Sequence, residues 1–269
     1  MNKMNKYGKP FLKWAGGKSR LLSTLLANAP ENYNKYFELF LGGGALFFAL
    51  NPKEAVLADL NSDLVETYIA VQLNPKLVIE ELKKMKNSES DYYRIRSHNY
   101  RTDYEKAAQF IYLNKLCYNG IYRVNNKGVF NVPYCKDESR HYFSEKEILR
   151  ASEILQNTKL ISSDFESFGK DIQKNDFVYV DPPYALQRKN NGFLEYNKKI
   201  FHWEDQSRLS RFVAELSQKG AKILISNVNA AEIIELYPNF EMVEAYRNCT
   251  IGGYNASRKL VKEIILKNY

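Results

Sequence analysis

Residues 178–184, VYVDPPY, end a run of apolar and aromatic side chains with one acid, two prolines and a tyrosine. Adjacent prolines stiffen a turn and remove two backbone donors. Asp181 and the carbonyl of Pro182 would therefore present acceptors at the end of a strand. Such acceptors suit a planar amino group that attacks an electrophile, and Tyr184 offers a ring on which a base can stack. A proline turn that only stops a strand would leave the acid and the tyrosine unexplained.

A second candidate region is the glycine triplet Gly42, Gly43 and Gly44, which follows the run FELFL. Glycines after a first strand let the backbone approach a ligand closely. The next predicted strand ends at Asp59, where a carboxylate can hold a ribose diol. A tight turn at the glycines and a helix cap at Asp59 explain the same residues about equally well. Together the two features favour an adenosine-containing ligand, although Phe47 breaks the full GxGxxG spacing.

Near the N-terminus, Gly17, Lys18 and Ser19 resemble the end of a nucleotide-binding P-loop. A P-loop requires a glycine five positions before Gly17, and Leu12 stands there. The preceding residues also make no hydrophobic strand. An ordinary loop that leads into the helix SRLLSTLLANAP is therefore favoured over an NTPase.

The composition is that of an ordinary globular protein of 269 residues, enough for one large domain or one domain with an insert. Its three cysteines lack CxxC spacing, which argues for a reducing compartment. No apolar run reaches the length of a membrane span and no signal-peptide pattern is present, so we expect a cytoplasmic protein. The three histidines, His98, His141 and His202, lack ligand spacing, and we expect no metal site.

The formal net charge of the chain is +8. Lysine and arginine release counterions from a phosphate backbone, so this charge suits a nucleic acid partner. Solvated lysine-rich faces of proteins without such a partner give the same balance. The charge alone therefore shifts the interpretation only slightly towards nucleic acid.

Seven short apolar runs predict buried strands that alternate with helices near both ends of the chain. They are KYFELFL, EAVLADL, TKLISSD, DFVYVDPPY, AKILISNV, FEMVEAY and LVKEIILKNY. The clearest helix is SRLSRFVAELSQKG, whose apolar side chains share one face. This alternation predicts an α/β fold with a parallel, doubly wound sheet and helices on both faces. Residues 61–153 read mostly as helix and predict an insertion between the second and third strands.

Four stretches in this order, FLKWAGGK, FELFLGGG, YNGIYRVNNKGVFNVPY and VYVDPPY, resemble Dam-type DNA adenine-N6 methyltransferases of the alpha group. The DPPY motif is shared by many amino methyltransferases, whereas the first and third stretches are much more specific to the Dam-like group. The resemblance extends from residue 11 to the C-terminal ASRKLVKEIILKNY. It implies that the Gly-Gly-Lys stretch belongs to a cofactor segment.

The resemblance implies a Rossmann-like S-adenosylmethionine-dependent methyltransferase sheet, formed by residues 1–60 and 154–269, with an inserted, mainly helical target-recognition domain at residues 61–153. It implies S-adenosylmethionine as the methyl donor and no metal. Lys18 would lie near the methionine carboxylate of the cofactor, Asp59 would hold its ribose, and Asp164 and Phe165 would flank its adenine. The implied cofactor residues are Trp14, Lys18, Phe40, Gly42, Asp59, Asp164, Phe165 and Asp181, and the implied catalytic residues are Asp181, Pro182 and Tyr184.

The implied partner is double-stranded DNA. The DNA-binding residues that the resemblance implies are Tyr118, Asn119, Ile121, Arg123 and Pro133. We also expect Lys13, Arg188 and Lys189 to bind DNA. Arg123 fits bidentate recognition of a guanine in the major groove. The loop ALQRKNNGFLEYNKKIFHW departs from the hydroxyl-rich loops frequent in such relatives. Phosphate contact by its basic residues is favoured over simple solvation.

These features predict methyl transfer to the exocyclic N6 amino group of adenine, with the base flipped out of the duplex. The target sequence GATC follows only by analogy with Dam-like relatives. The alternatives are an amino methyltransferase acting on cytosine N4, RNA or protein, and a non-catalytic DNA-binding module on the same fold. We expect a monomer, and a cognate restriction endonuclease is a candidate partner.

Overall fold

The computed structural model describes residues 8–125, 127–185, 201–248 and 260–269. All seven predicted strands form where the apolar runs predict them. They are β1 (Tyr36–Glu38), β2 (Ala55–Asp59), β3 (Thr158–Ser162), β4 (Phe177–Val180), β5 (Lys222–Val228), β6 (Glu241–Asn248) and β7 (Leu260–Lys267).

The described residues also form helices near both ends of the chain and through its middle. These are α1 (Leu22–Asn28), α2 (Ala45–Leu50), α3 (Ser62–Leu73), α4 (Pro75–Lys84), α5 (Glu89–Ser97), α6 (Asp103–Leu116), α7 (Glu145–Leu155), α8 (Trp203–Gln218) and α9 (Ala231–Ile234). Short 3₁₀ turns lie at Lys18–Arg20, Tyr118–Gly120 and Phe165–Phe168. Helices α3 to α7 stand between β2 and β3 in the chain, as the sequence predicts.

The strands make one seven-stranded sheet in the order β3-β2-β1-β4-β5-β7-β6. Strands β1, β2, β4 and β5 pair in parallel, which confirms the α/β, Rossmann-like class. The expectation of parallel strands is wrong for β6 and β7, because β7 pairs antiparallel with both β5 and β6. Only the 11 residues 249–259 separate β6 from β7 in the chain, fewer than a parallel crossover with a helix requires.

Strand β4 occupies the centre of the sheet, between β1 and β5. All four of its residues, FVYV, are buried, as expected for a strand covered on both faces. Its register pairs Tyr179 with Glu38 of β1 and with Leu224 of β5. Strand order reverses between β1 and β4, and open α/β sheets bind ligands beyond the carboxyl ends of the strands at such a point. Asp181 is the first residue after β4.

Two compact units make up the chain. The helical unit consists of Met1–Gly17, Gly42–Lys53 and Asp59–Ser162. The sheet unit consists of Lys18–Leu41, Glu54–Ala58 and Ser163–Tyr269. The division of function at residues 60 and 153 stays a prediction.

Helix α6 forms the core of the helical unit, where it packs against α3, α4 and α5. It begins with a capping box, in which Thr102 and Glu105 satisfy each other's backbone N–H groups. Near its end, the buried Asn114 side chain accepts from the Lys13 backbone N–H at 2.9 Å and donates to the Lys13 carbonyl at 2.7 Å. The helix thereby fixes the segment that precedes Trp14. Among the described residues, no helix is long and apolar enough to span a membrane.

Candidate active site

Asp181 stands at the carboxyl end of β4 with its side chain 18% exposed. Its Oδ1 atom accepts a hydrogen bond from Ser226 Oγ at 2.8 Å and lies 2.8 Å from the Lys18 ammonium. Because Ser226 gives its hydrogen to Asp181, the Tyr179 hydroxyl, 2.9 Å from Ser226 Oγ, must donate to the serine. Burial raises the pKa of Asp181 above its usual value, while the charge of Lys18 opposes that rise. Ser226 of β5 and Lys18 thus orient the carboxylate, and Tyr179 of β4 orients Ser226.

Lys18 and Glu263 extend this cluster within the sheet unit. Lys18 is 4% exposed, Glu263 of β7 is fully buried, and the Lys18 ammonium lies 3.8 Å from Glu263 Oε2. The Tyr184 hydroxyl donates to the same Oε2 at 2.8 Å. The ammonium also lies 5.0 Å from the centroid of the Tyr184 ring, a cation–π distance. Burial raises the pKa of Tyr184, which therefore remains a neutral phenol.

The two prolines lie between Asp181 and Tyr184. Pro182 is buried, and the carbonyl of Pro183 accepts from Gln206 Nε2 of α8 at 3.3 Å. Gln206 is itself fully buried. The helix therefore fixes the proline turn through a buried amide.

A second group in the sheet unit gathers around Phe165. Phe40 lies 5.7 Å from Phe165 between ring centroids, and the Arg208 guanidinium stands over the Phe165 ring at 4.6 Å. Arg208 also donates to Asp164 Oδ2 at 2.7 Å, while Asp164 Oδ1 accepts from the backbone N–H of Glu166 at 3.0 Å. Aromatic faces beside a carboxylate can hold a planar heterocycle with an amino group.

In the helical unit, Asp59 is fixed by the backbone of its neighbours. Its Oδ2 accepts from the Gly42 N–H and its Oδ1 from the Asn61 N–H, both at 3.0 Å. Burial raises the pKa of Asp59, and these hydrogen bonds oppose the rise. Asn61, not Asp59, caps α3, since its side chain accepts from Leu64 N–H. Asp59 thus does not serve as that helix cap, and its oxygens keep further lone pairs for a diol.

Gly42 lies against Trp14 with a positive φ of 46°. A Cβ atom at this position would stand 2.6 Å from Trp14 Cδ1, closer than side chains tolerate. The Trp14 ring in turn stacks on Tyr122 at a centroid distance of 5.6 Å. The helical unit therefore brings together Trp14, Gly42 and Asp59, three of the residues that the resemblance implies for cofactor binding.

A surface depression in the helical unit is lined by residues of the predicted DNA-reading segment. Its lining residues are Tyr118, Ile121, Arg123, Val132 and Pro133. Arg123 donates from Nε to Asn131 Oδ1 at 2.9 Å. This hydrogen bond fixes the plane of the guanidinium group and therefore the direction of its two terminal nitrogens. Tyr92 and Arg96 of α5 both donate to the Val132 carbonyl, at 2.9 and 3.2 Å. These two contacts from α5 thus fix the backbone that lines the depression.

A family model described as D12 class N6 adenine-specific DNA methyltransferase matches residues 14–251. The chain belongs to this family. The D12 methyltransferase is 38% identical over 278 residues to the Type II methyltransferase M1.LlaDCHI of Lactococcus lactis subsp. cremoris, a match that covers 100% of this chain and 97% of the relative. It is 36% identical to the Type II methyltransferase M.MjaIII of Methanocaldococcus jannaschii, across 97% and 99% of the two chains. It is 33% identical to the DNA adenine methylase of Haemophilus influenzae, across 96% and 92%.

The resemblance to Dam-type enzymes is confirmed, and the protein is an adenine-specific DNA methyltransferase. The structure of this D12 methyltransferase gathers the predicted residues into separate groups. In the sheet unit, Lys18 forms an ion pair with Asp181 and lies near the Tyr184 ring. Phe40 packs near Phe165, which follows Asp164 in the chain. In the helical unit, four of the predicted DNA-binding residues line one depression, namely Tyr118, Ile121, Arg123 and Pro133. The predicted residues Asn119 and Lys13 are not among its lining residues. Asn119 follows Tyr118 in the chain with a φ of 58°, and Lys13 lies against Gly120 of the same turn.

Four residues of the D12 methyltransferase site are not predicted from the sequence. Ser226 and Glu263 stand inside runs that predict only buried strands, and Gln206 and Arg208 inside a helix that is only amphipathic by pattern. A polar residue within an otherwise apolar strand is the signal that points to Ser226 and Glu263. Arg188 and Lys189 lie outside the described residues. Among the described residues, no cluster of histidine, cysteine and acidic side chains could hold a metal ion.

Proposed function

We propose that this methyltransferase transfers the methyl group of S-adenosylmethionine to the N6 amino group of an adenine that is flipped out of duplex DNA. The observation that carries the proposal is the fixed Asp181 carboxylate at the end of β4, beside Tyr184 and the proline turn. A base inside the stack is out of reach of any such group, so extrusion is required, at a cost of a few kcal/mol.

The described residues fit S-adenosylmethionine. Asp59 has both oxygens set by backbone N–H groups and suits a ribose diol, and Phe40 with Phe165 and Asp164 suits an adenine ring. Lys18 carries three donors on a buried ammonium, which suits the cofactor's carboxylate. When bound, the cofactor supplies a methyl group activated by a sulfonium.

Asp181 acts on the adenine amino group. The lone pair of that nitrogen is delocalised into the ring, which makes the amine a weak nucleophile. Asp181 and the Pro182 carbonyl accept its two N–H hydrogen bonds, which orients the nitrogen as it pyramidalises. The carboxylate also stabilises the positive charge that develops on the nitrogen. Because Ser226 and Lys18 hold Asp181 beforehand, little reorganisation is needed during transfer.

Tyr184 provides the stacking face for the extruded base. Its hydroxyl is tied to Glu263, so the ring is held in one orientation by a short hydrogen bond. Its neutral phenol does not compete for the amino protons as an anion would. Stacking on an aromatic face contributes about 1–3 kcal/mol per base, which offsets part of the cost of extrusion.

Residues 61–153 form the target-recognition domain in this proposal. Arg123 reads a guanine in the major groove, in a GATC site by analogy with Dam-type enzymes, and Tyr118, Asn119, Ile121 and Pro133 contact the neighbouring bases. Lys13, Arg188 and Lys189 contact phosphates, in keeping with the net charge of +8. The protein acts as a cytoplasmic monomer. The Type II methyltransferases among its relatives make a cognate restriction endonuclease a candidate partner.

The test is transfer of labelled methyl from S-adenosylmethionine to plasmid DNA that lacks adenine methylation, followed by hydrolysis to nucleosides and base-resolution mapping. We expect N6-methyladenine at one short sequence, GATC by analogy. Label in N4-methylcytosine, or no label in the DNA, would overturn the proposal. A second experiment measures DNA binding as a function of salt concentration. Lys189→Ala is expected to weaken binding to all duplexes and to reduce the slope of the log binding constant against the log salt concentration by about 1. An unchanged slope would remove Lys189 from the phosphate contacts.

A further inference from the structure

The two described partners of the Asp181 side chain both meet one oxygen. Ser226 Oγ and Lys18 Nζ lie 2.8 Å from Oδ1. Among the described residues, none hydrogen-bonds Oδ2. An oxygen with two donors has its lone pairs taken, so Oδ2 is the oxygen that can accept from an incoming amino group.

Lys18 helps to orient Asp181 but also opposes its chemistry. An ammonium 2.8 Å from the carboxylate makes a pair without net charge. A second positive charge, which develops on the adenine nitrogen during transfer, gains much less from a neutral pair than from a free carboxylate. A fixed negative charge of the protein close to Lys18 would restore that gain, whether or not the cofactor's carboxylate is bound there.

Glu263 is placed to supply that charge. Its Oε2 lies 3.8 Å from the Lys18 ammonium in a fully buried position of β7. Together Lys18, Asp181 and Glu263 carry one positive and two negative charges. The same Oε2 accepts from Tyr184, so one carboxylate contacts both the lysine on Asp181 and the ring proposed to stack on the base.

Resting on the proposed function, we propose that Glu263 is a positioning residue for methyl transfer, which offsets the charge of Lys18 and fixes Tyr184 so that Asp181 Oδ2 can stabilise the reacting amino group. Glu263 does not touch the substrate and acts through Lys18 and Tyr184. Neither the family description nor the sequence motifs point to it, because it stands in the last strand, 82 positions after Asp181.

The pH dependence of the methyl-transfer step distinguishes this role from simple packing. Transfer requires ionised Asp181, so its rate falls as the pH falls through the pKa of that group. Glu263 raises the pKa of Asp181 by charge repulsion, whereas Lys18 and the Ser226 hydrogen bond lower it. Removal of the Glu263 charge therefore moves the acidic limb of the rate profile to lower pH. Among the described residues, the ionisable and polar groups around Asp181 are Lys18, Tyr179, Tyr184, Ser226 and Glu263, with Glu38 beyond Tyr179 on β1.

The experiment compares Glu263→Gln with the wild-type protein in single turnovers at saturating S-adenosylmethionine and cognate duplex across pH. We expect the transfer rate to fall about tenfold or more, the Kd for cofactor to change by less than about threefold, and the acidic limb to move to lower pH. The matched control is Glu241→Gln on the neighbouring β6, a 61% exposed glutamate paired with Lys267 at 3.3 Å. It should leave rate and profile unchanged.

A second variant keeps the inference testable if Glu263→Gln fails to fold. Glu263→Asp retains the charge but withdraws it from Lys18 and Tyr184, so we expect a slower transfer step with the acidic limb in its wild-type position. A wild-type rate in either variant overturns the inference. So does a loss of rate in Glu263→Gln without any movement of the acidic limb, since that result fits packing alone. A wild-type protein that methylates no DNA overturns the proposed function instead.

Discussion

Two tyrosines make nearly the same hydrogen bond in different surroundings. Tyr184 donates to Glu263 at 2.8 Å inside the sheet unit, and Tyr122 donates to Asp63 at 2.9 Å on the exposed surface of the helical unit. Geometry alone would rank these contacts equal. The first is surrounded by buried charges, whereas the second is open to water, which competes for both partners.

The same contrast separates the two functional regions. Around Asp181 the functional side chains are buried and hold one another, so their positions are set before a ligand arrives. In the DNA-reading segment the functional side chains are exposed, and the buried contacts, such as those on the Val132 carbonyl, hold the backbone. A reaction requires reacting groups fixed in advance, whereas a reader of base edges must present its side chains to solvent until DNA replaces the water.

Asp181→Ala should impair methyl transfer more than any other single substitution considered for this protein. Loss of the only carboxylate proposed to meet the amino group should lower the single-turnover rate by about 10³-fold or more, since charge stabilisation is often the largest catalytic contribution. DNA binding should persist, because the reading segment lies in the helical unit. A filter-binding assay and a labelled-methyl assay measure the two effects. Asp171→Ala, an exposed aspartate of the same unit, is the control, and retained turnover in Asp181→Ala would refute the assigned role.

Gly42→Ala tests the close approach of Gly42 to the Trp14 ring. The new Cβ would lie 2.6 Å from Trp14 Cδ1, and the residue would keep a φ of 46°. Crowding and left-handed backbone together should reduce the free energy of unfolding by about 2–4 kcal/mol. Chemical denaturation measures the change.

Two other glycines separate the causes in the Gly42→Ala experiment. Gly128 has a φ of 75°, and no described atom lies within 4 Å of where an added methyl group would stand, so Gly128→Ala reports the backbone cost alone, about 1 kcal/mol. Gly43 meets Trp14 Cβ only at 3.5 Å and has no positive φ, so Gly43→Ala should be nearly neutral. If Gly42→Ala were no more destabilising than Gly128→Ala, the contact with Trp14 would not matter.

Arg123→Ala should weaken discrimination at a single guanine, by about 1–3 kcal/mol, because a bidentate contact to one base is lost. Competition binding with duplexes that differ at each position of the site gives the ratio. Arg150→Ala, an exposed arginine of α7 paired with Glu153, should change no ratio. Equal weakening on cognate and random duplexes would show that Arg123 contacts phosphate and not a base.

The strands and the reacting acid can be located from the sequence because both are local features. Buried strands such as β4 appear as unbroken apolar runs, and Asp181 follows one in a turn whose prolines limit its conformations. The antiparallel pairing of β7 and the contacts of Lys18 are not local, because they depend on strand register and on which distant segments of the chain meet in the fold. Lys18 and Glu263 lie 245 positions apart in the chain, and no periodicity links them. Ser226 and Glu263 carry only the weak signal of a polar residue in an apolar strand.

Replacement of each tyrosine by phenylalanine tests the contrast between the buried hydrogen bond of Tyr184 and the exposed one of Tyr122, and these effects should be small. Tyr184→Phe removes a hydrogen bond to a buried carboxylate and should reduce the free energy of unfolding by about 1.5 kcal/mol. Tyr122→Phe removes an exposed one and should change it by about 0.5 kcal/mol or less. Paired urea titrations give both values, and each variant keeps its ring contacts. Tyr184→Phe should also slow methyl transfer, because the ring loses its anchor on Glu263, while Tyr122→Phe should not. Equal losses of stability in the two variants would mean that the buried surroundings of Glu263 add nothing to this hydrogen bond.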